Sequence, residues 1–321
     1  MKNNFKNIAK NVIDLEIDGL RKLKKFINNS FIEAVKAIGN CQSKVILGGV
    51  GKSGLIASKI ASTLSSVGTP SFSISANDCS HGDLGSITKK DILILISNSG
   101  NSAELKNIIQ YANRYKIKLI CIVSKKNSML YKAADIKLLI PETKEAGLGL
   151  VPTTSTSVQL SLGDALSIAV MKFKKFSQLD FKKFHPSGSL GSKLKTVEDL
   201  MLTKNRIPFI NEDKSIKEGI KVINSKKLGV LVALNKKKLT TGIFTDGDIK
   251  RVIQNKVNIH NKIKSYMTKS PINVEKDTLA AKALNLMNEK KITSLCVYKK
   301  GNKNKTIGII HIHNILSSNI S

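Results

Sequence analysis

Ser97-Asn98-Ser99-Gly100-Asn101-Ser102 gathers hydroxyls and side-chain amides between an apolar run, Asp91–Ile96, and a segment of helical periodicity, Ser102–Tyr115. The first N–H groups of a helix lack internal partners, so such a loop suits a phosphate monoester. A cap alone would need one hydroxyl, and Ser97, Ser99 and Ser102 supply three. A second turn, Gly49-Val50-Gly51-Lys52-Ser53-Gly54, also joins a predicted strand to a predicted helix. Its glycines let backbone approach an anion. It is not a nucleoside-triphosphate loop, because the glycine required five residues before Gly51 is Ile46.

Titratable groups are scattered among small-residue loops: Lys52, His81, Glu104, Glu145 and His185. Each has a plain alternative. Glu104 could complement a helix dipole, Glu145 could be a solvated loop charge, and His185 before Pro186 could be a turn residue. Spacing alone does not bring them together.

The elements that must position these groups alternate. Residues 1–40 read as helix, Lys44–Val50 as strand, Ser53–Ser66 as helix and Ser71–Ser75 as strand. Asp91–Ile96 is apolar enough to be buried on both faces, as in a parallel sheet. Leu119–Val123 and Lys137–Ile140 read as further strands, with a short helix at Ser128–Ala134 and a long one at Thr154–Phe173. The expected fold class is a parallel-sheet α/β sandwich over residues 1–195. Beyond it, Val197–Gln254 and Ile263–Ser318 resemble one another, so 196–256 and 257–321 are expected to be paired repeats sharing a core.

Composition narrows the class. The formal charge is +30, from 53 Lys and Arg against 23 Asp and Glu. The lysines are spread along the chain and accompany abundant Asn and Ile, so they read as solvated surface, and no nucleic-acid motif is present. No run approaches the ~20 apolar residues of a membrane helix. The first ten residues lack a signal-peptide core, and Cys41, Cys79, Cys121 and Cys296 form no CxxC pair. These features predict a cytoplasmic protein with reduced thiols and without membrane or nucleic-acid partners.

The stretches GVGKSG (49–54), GTPSF (68–72), SHGDLG (80–85), ISNSGNSAEL (96–105), LVPTTST (150–156), LGDAL (162–166) and HPSGSLG (185–191) resemble the sugar isomerase (SIS) domain, closest to its D-arabinose 5-phosphate isomerase branch. TGIFTDGDIKR (241–251) and ITSLCVY (292–298) are similar to the paired cystathionine β-synthase (CBS) repeats of that branch. The resemblance covers nearly the whole chain. It implies interconversion of ribulose 5-phosphate and arabinose 5-phosphate, a supply of Kdo for lipopolysaccharide or capsule, and a homotetramer with sites at subunit contacts. It implies catalytic roles for Lys52, Glu104, Glu145 and His185, and substrate contacts from Ser53, Gly68, Thr69, His81, Ser97, Asn98, Ser99 and Ser102.

Moving a carbonyl between C1 and C2 needs a base, stabilisation of an enediolate and return of the proton. Glu145 is expected to be that base, with its pKa raised by burial, and Glu104 is the alternative. Lys52 would neutralise phosphate or oxyanion, and a histidine would assist ring opening. This route needs no metal or organic cofactor. The sequence departs from the branch pattern at Ser75, usually His, at Asn101, commonly Glu, and in a Glu145–Pro152 loop one residue shorter.

In the repeats, Thr245 and Asp248 match a nucleotide pattern in which Thr meets phosphate and Asp meets ribose. His311 and Asn314 replace them in the second repeat. A nucleotide or CMP-Kdo is the candidate ligand, and a ligand-free oligomerisation module is the alternative. Two rival functions remain open. One is a phosphosugar sensor, although residues 1–40 are too short for a DNA-binding domain. The other is an isomerase of another sugar phosphate.

Overall fold

The computed structural model describes residues 4–185, 194–318 and 320. The chain divides into two compact units, Met1–Phe184 and His185–Ser321.

The first unit is built on a parallel five-stranded sheet: β1 (Val45–Gly49), β2 (Ser71–Ser75), β3 (Ile92–Ile96), β4 (Lys118–Val123) and β5 (Ile136–Leu139), in the order β2-β1-β3-β4-β5. Alternation sends successive side chains to opposite faces. Val45, Leu47, Ile92, Ile94 and Ile96 enter one apolar core, and Ile46, Leu93 and Leu95 enter the other. Helices α1 (Phe5–Leu23), α2 (Asn29–Gly39), α3 (Lys52–Ser66) and α6 (Thr154–Phe173) supply the first core, and α4 (Leu105–Arg114) and α5 (Met129–Ala133) the second. The unit ends in α7 (Gln178–Phe184). Burial of β1 and β3 on both faces explains their unbroken apolar runs.

Two expectations need correction. The segment expected as one helix over 1–40 holds two, Phe5–Leu23 and Asn29–Gly39, because Asn28 takes an extended conformation and its side chain accepts from Ser30 N at 2.9 Å, starting α2 afresh. Helix α4 begins at Leu105 rather than Ser102; Ser102–Glu104 form the turn that leads into it.

The second unit carries two four-stranded sheets that exchange edge strands. In sequence order it contains α8 (Val197–Leu200), β6 (Leu202–Thr203), β7 (Phe209–Asn211), α9 (Ile216–Lys226), β8 (Val230–Leu234), β9 (Thr240–Thr245) and α10 (Asp246–Gln254). The second repeat follows with β10 (Thr268–Lys269), β11 (Asn273–Glu275), α11 (Ala280–Lys290), β12 (Ser294–Lys299), β13 (Asn302–His311) and α12 (Ile312–Leu316). Sheet orders are β10-β9-β8-β7 and β11-β12-β13-β6. Each sheet therefore borrows its edge strand, β10 or β6, from the other repeat. Gly242 and Gly308 make this exchange possible: a Cβ on Gly242 would lie 2.7 Å from Thr268 O, and one on Gly308 would collide with Met201 Sδ.

Candidate functional site

Gly49 ends β1 in register with Ile96, the end of β3. The Gly49–Gly54 turn and the Ser97–Ser102 loop therefore leave adjacent strands side by side at the carboxyl edge of the sheet, where open α/β sheets hold ligands. Glycine is required at 49, since a Cβ would lie 2.8 Å from the Ser53 carbonyl carbon, and Gly51 takes a φ of 55° as α3 begins.

The serine loop is braced from within. Ser97 is buried, and its Oγ accepts from Gly100 N at 3.0 Å and lies 3.2 Å from Ser102 Oγ. The Asn98 carbonyl accepts from Ser124 N and Oγ at 3.0 and 2.7 Å, which ties the loop to the end of β4. Asn101 Oδ1 accepts from Met129 N at 2.8 Å, so this amide supports α5. Asn98 and Ser99 are exposed, and Ser102 is half-buried. An anion seated here would meet exposed polar side chains on a rigid frame.

Lys52 is exposed on the first turn of α3, and Glu104 is exposed at the N-cap of α4. Glu145 comes from the connection between β5 and α6. Its Oε2 accepts from Thr153 N at 2.8 Å, Thr153 Oγ1 at 3.1 Å and Ser155 N at 3.3 Å. Burial pushes its pKa up, but hydrogen bonds from the Ser155 hydroxyl, the Thr153 and Ser155 N–H groups and the Thr153 hydroxyl outweigh it and hold the carboxyl below its ordinary value. The expected upward shift is thus reversed, because the carboxylate serves as an external cap for α6. The adjoining loop is open, with Leu148 and Leu150 89% and 79% exposed.

The remaining residues lie elsewhere. Gly68 and Thr69 precede β2, at the opposite edge of the sheet, where Lys174 Nζ donates to Gly68 O at 2.8 Å and to Thr69 Oγ1 at 3.3 Å. Phe176 stacks on Phe184 at 5.9 Å and lies against Gly68, so α7 ends near the same edge, and half-buried His185 follows directly. One length of α6, about 30 Å for twenty residues, separates that edge from the first turn of α6. A single chain thus brings together the loops carrying Lys52, Ser53, Ser97–Ser102, Glu104 and Glu145, but not Gly68 or Thr69; His185 opens the second unit. His81 falls in the turn Asp78–His81 after β2; its side chain, like residues 186–191 of the HPSGSLG motif, lies outside the described residues.

The SIS domain family matches residues 40–169, and the CBS domain family matches 197–255 and 263–320. Arabinose 5-phosphate isomerase KdsD of Yersinia pestis is 42% identical over 98% of this chain and 96% of its own length. The chain belongs to the arabinose 5-phosphate isomerase family. The KdsD of Escherichia coli (strain K12) is 38% identical over the same shares. Among solved structures, E. coli CFT073 c3406 in complex with arabinose 5-phosphate is similar to this chain with a TM-score of 0.56 and 37% identity, covering 58% of this chain and all of that one.

Three supporting residues of this family member carry no obvious signal in the sequence. Thr153 and Ser155 fall inside the LVPTTST motif, and their task becomes visible only when Glu145 folds back onto them. Gln159 lies on the buried face of α6 and accepts from Ser53 Oγ at 3.2 Å. A polar residue at an apolar position of a long helix was the available clue.

In the repeats, Thr245 and Asp248 form the capping box of α10. Thr245 N and Oγ1 both donate to Asp248 Oδ2 at 2.8 Å. Asp248 is 1% exposed and is paired with Arg251. His311 and Asn314 do the same work for α12: His311 N donates to Asn314 Oδ1 at 3.3 Å, and His311 Nδ1 accepts from His313 N at 3.2 Å. Thr245, Asp246, His311, His313, Lys227 and Lys291 line one cleft of about 590 Å³; buried Asp248 is absent from its walls.

Proposed function

We propose that this chain interconverts D-ribulose 5-phosphate and D-arabinose 5-phosphate through an enediolate, in the cytoplasm, supplying Kdo synthesis for lipopolysaccharide or capsule. Relationship to KdsD over almost the full chain supports the reaction. The observation that carries the site is the in-register placement of the β1 and β3 loops. The serine loop holds the phosphate, and Lys52 faces the developing oxyanion. Glu145 takes the proton at C1 or C2: its Oε2 is anchored by Thr153 and Ser155, which fixes the orientation of the carboxylate. Closure of the Leu148–Val151 loop would exclude water.

His185 assists ring opening from a neighbouring copy. The α6-length separation of Gly68 and Thr69 from Glu145 within one chain supports sites shared between copies, and so does the exposure of apolar side chains along α1, where Phe5, Ile8 and Ile13 are exposed. A homotetramer with shared sites is the assembly this reading takes from the family resemblance. The functional parts are residues 1–195 for catalysis and 196–256 and 257–321 for regulation. Among the described residues, no helix is long and apolar enough to cross a membrane.

The test is a panel of pentose and hexose phosphates followed by NMR. Conversion of ribulose 5-phosphate to arabinose 5-phosphate is expected. A protein that isomerises hexose phosphates in preference, or nothing at all, refutes the assignment.

A further inference from the structure

We propose that Asn101 positions the substrate phosphate without touching it: its carboxamide clamps the serine loop onto the first turn of α5, and that clamp sets phosphate affinity. The proposal rests on the sugar-phosphate reading of this site.

The first N–H groups of α5 need partners from outside the helix. Fully buried Ser128 caps it and accepts from Tyr131 N at 3.3 Å. That leaves Met129 N and Leu130 N, and the serine loop takes both. Asn101 Oδ1 accepts from Met129 N at 2.8 Å, and Gly100 O accepts from Leu130 N at 3.0 Å. The setting of the Asn101 amide is fixed, because a backbone N–H can only donate. Turning the amide over would set two donors face to face. α5 is itself held by the core, where Leu130 is buried with Leu105, Leu119 and Val123. The loop is thus pinned to a packed element.

A second observation shows where the clamp acts. Gly100 has a φ of 69°, and a Cβ there would lie 2.3 Å from Ser128 Oγ. The loop therefore meets α5 backbone to helix, at a residue with no side chain of its own to hold it. Asn101 supplies that side chain. Its own N–H donates to Ser99 Oγ at 3.3 Å, and Ser102 follows it directly in the chain. Losing the carboxamide bond would loosen Ser99 and Ser102 together. The phosphate lies at the far end of a pentose 5-phosphate from C1 and C2, so it is held alike before and during proton transfer. A loosened loop raises KM and spares kcat.

The experiment compares the full chain with Asn101→Ala, Asn101→Asp, Met129→Pro and the Asn101→Ala/Met129→Pro double variant. Proline suits the first position of a helix and removes the N–H on the other side of the clamp. Ser128, at φ −77° and ψ 156°, already has the extended backbone that a following proline requires. Kinetics are measured with ribulose 5-phosphate, and inorganic phosphate binding by calorimetry. Asn101→Ala and Met129→Pro should each raise KM and weaken inorganic phosphate roughly three- to tenfold, the range of one hydrogen bond. Their kcat should stay within about twofold of wild type. The double variant should be no weaker than the weaker single, since both remove the same bond. Asn101→Asp keeps the acceptor and turns its charge to the positive end of α5, so it should retain most of the affinity. A fall in kcat at unchanged KM, additive losses in the double variant, or Asn101→Asp as weak as Asn101→Ala would overturn the proposal. If Met129→Pro does not fold, the contrast between Asn101→Ala and Asn101→Asp decides alone. A wild type that turns over no pentose phosphate, while inorganic phosphate is weakened by Asn101→Ala and kept by Asn101→Asp, would refute the proposed reaction and leave this inference standing.

Discussion

Glu145 Oε2 accepts hydrogen bonds from both the backbone N–H and the hydroxyl of Thr153, at 2.8 and 3.1 Å. With the Ser155 contacts they overcome burial and keep the carboxyl ionised below its ordinary range. A depressed pKa contributes stability that is present above the unfolded value and is lost as pH falls through the folded one. It also keeps the proposed base ready in mild acid. Thr153→Val removes one donor and preserves the branched shape, so the Glu145 pKa should rise. The acid limb of kcat/KM should then move to higher pH. An unmoved limb would assign that limb to another group.

The choice of base is read separately. Glu145→Gln removes basicity while keeping an acceptor for Thr153. It should lower kcat by roughly 10²- to 10⁴-fold with little change in KM, and abolish exchange of the C1 proton with solvent deuterium. Glu104→Gln should retain exchange. If the pattern is reversed, with exchange surviving in Glu145→Gln and lost in Glu104→Gln, Glu104 is the base.

Asp91 offers a stability test away from the chemistry. Its buried carboxylate accepts from Thr88 N at 2.6 Å and Oγ1 at 2.9 Å, and from Lys44 Nζ at 3.1 Å, bracing the entry to β3. Burial pushes the pKa up, but bonds from the Ser43 hydroxyl, the Thr88 N–H, Lys44 and the Thr88 hydroxyl outweigh it and bring it down to about 2. From an ordinary value of 3.8, that shift corresponds to about 2 kcal/mol, present above pH 4 and lost between about 4 and 2. Urea unfolding of Asp91→Asn should show a deficit of that order at pH 7 that shrinks toward pH 2. A deficit independent of pH would mean packing rather than charge is responsible.

Much of this fold was legible in advance, and the limits of the reading are physical. Apolar runs such as Ile92–Ile96 reveal buried strands, and Thr154–Phe173 reveals its helix, because periodicity records burial. The break at Asn28 escaped because a single side-chain hydrogen bond outweighs the surrounding helical pattern. The Glu145 shift escaped because its cause is eight and ten residues away, at Thr153 and Ser155. The separation of Gly68 and Thr69 from Glu145 is a matter of helix length and packing direction, which motif spacing does not encode. The exchange of β6 and β10 likewise depends on pairing between repeats that look independent in sequence.

That exchange yields a further test. A methyl at position 242 would meet the Thr268 carbonyl at 2.7 Å and Met267 Sδ at 2.7 Å. The Met side chain can move, but the carbonyl belongs to the strand that pairs with β9. Gly242→Ala should destabilise the second unit by about 1–3 kcal/mol in urea unfolding, as overpacking does. Isomerase activity should persist, since every proposed catalytic residue precedes the repeats. A stable Gly242→Ala protein would show that β10 yields freely.

The cleft of the second unit should bind a nucleotide more tightly as pH falls. Lys227 and Lys291 end α9 and α11 in matching left-handed conformations and line it with Thr245, His311 and His313; Asp246 is its acidic residue. The two imidazoles stack at 5.0 Å. Burial and the His313 charge hold the His311 pKa below 6.5, so His311 is neutral at pH 7 and opposes folding slightly when forced to protonate. A bound phosphate would reverse that preference by pairing with the imidazolium. AMP affinity of the wild type should therefore gain on that of His311→Gln between pH 7.5 and 5.5. The comparison between proteins matters because the AMP phosphate itself titrates near pH 6. Asp248→Asn, which keeps an acceptor for the α10 cap, should bind AMP nearly as well as wild type, because buried Asp248 faces Thr245 and Arg251 rather than the cleft. Equal pH profiles for wild type and His311→Gln would place the phosphate away from the histidines, on Thr245 and the lysines.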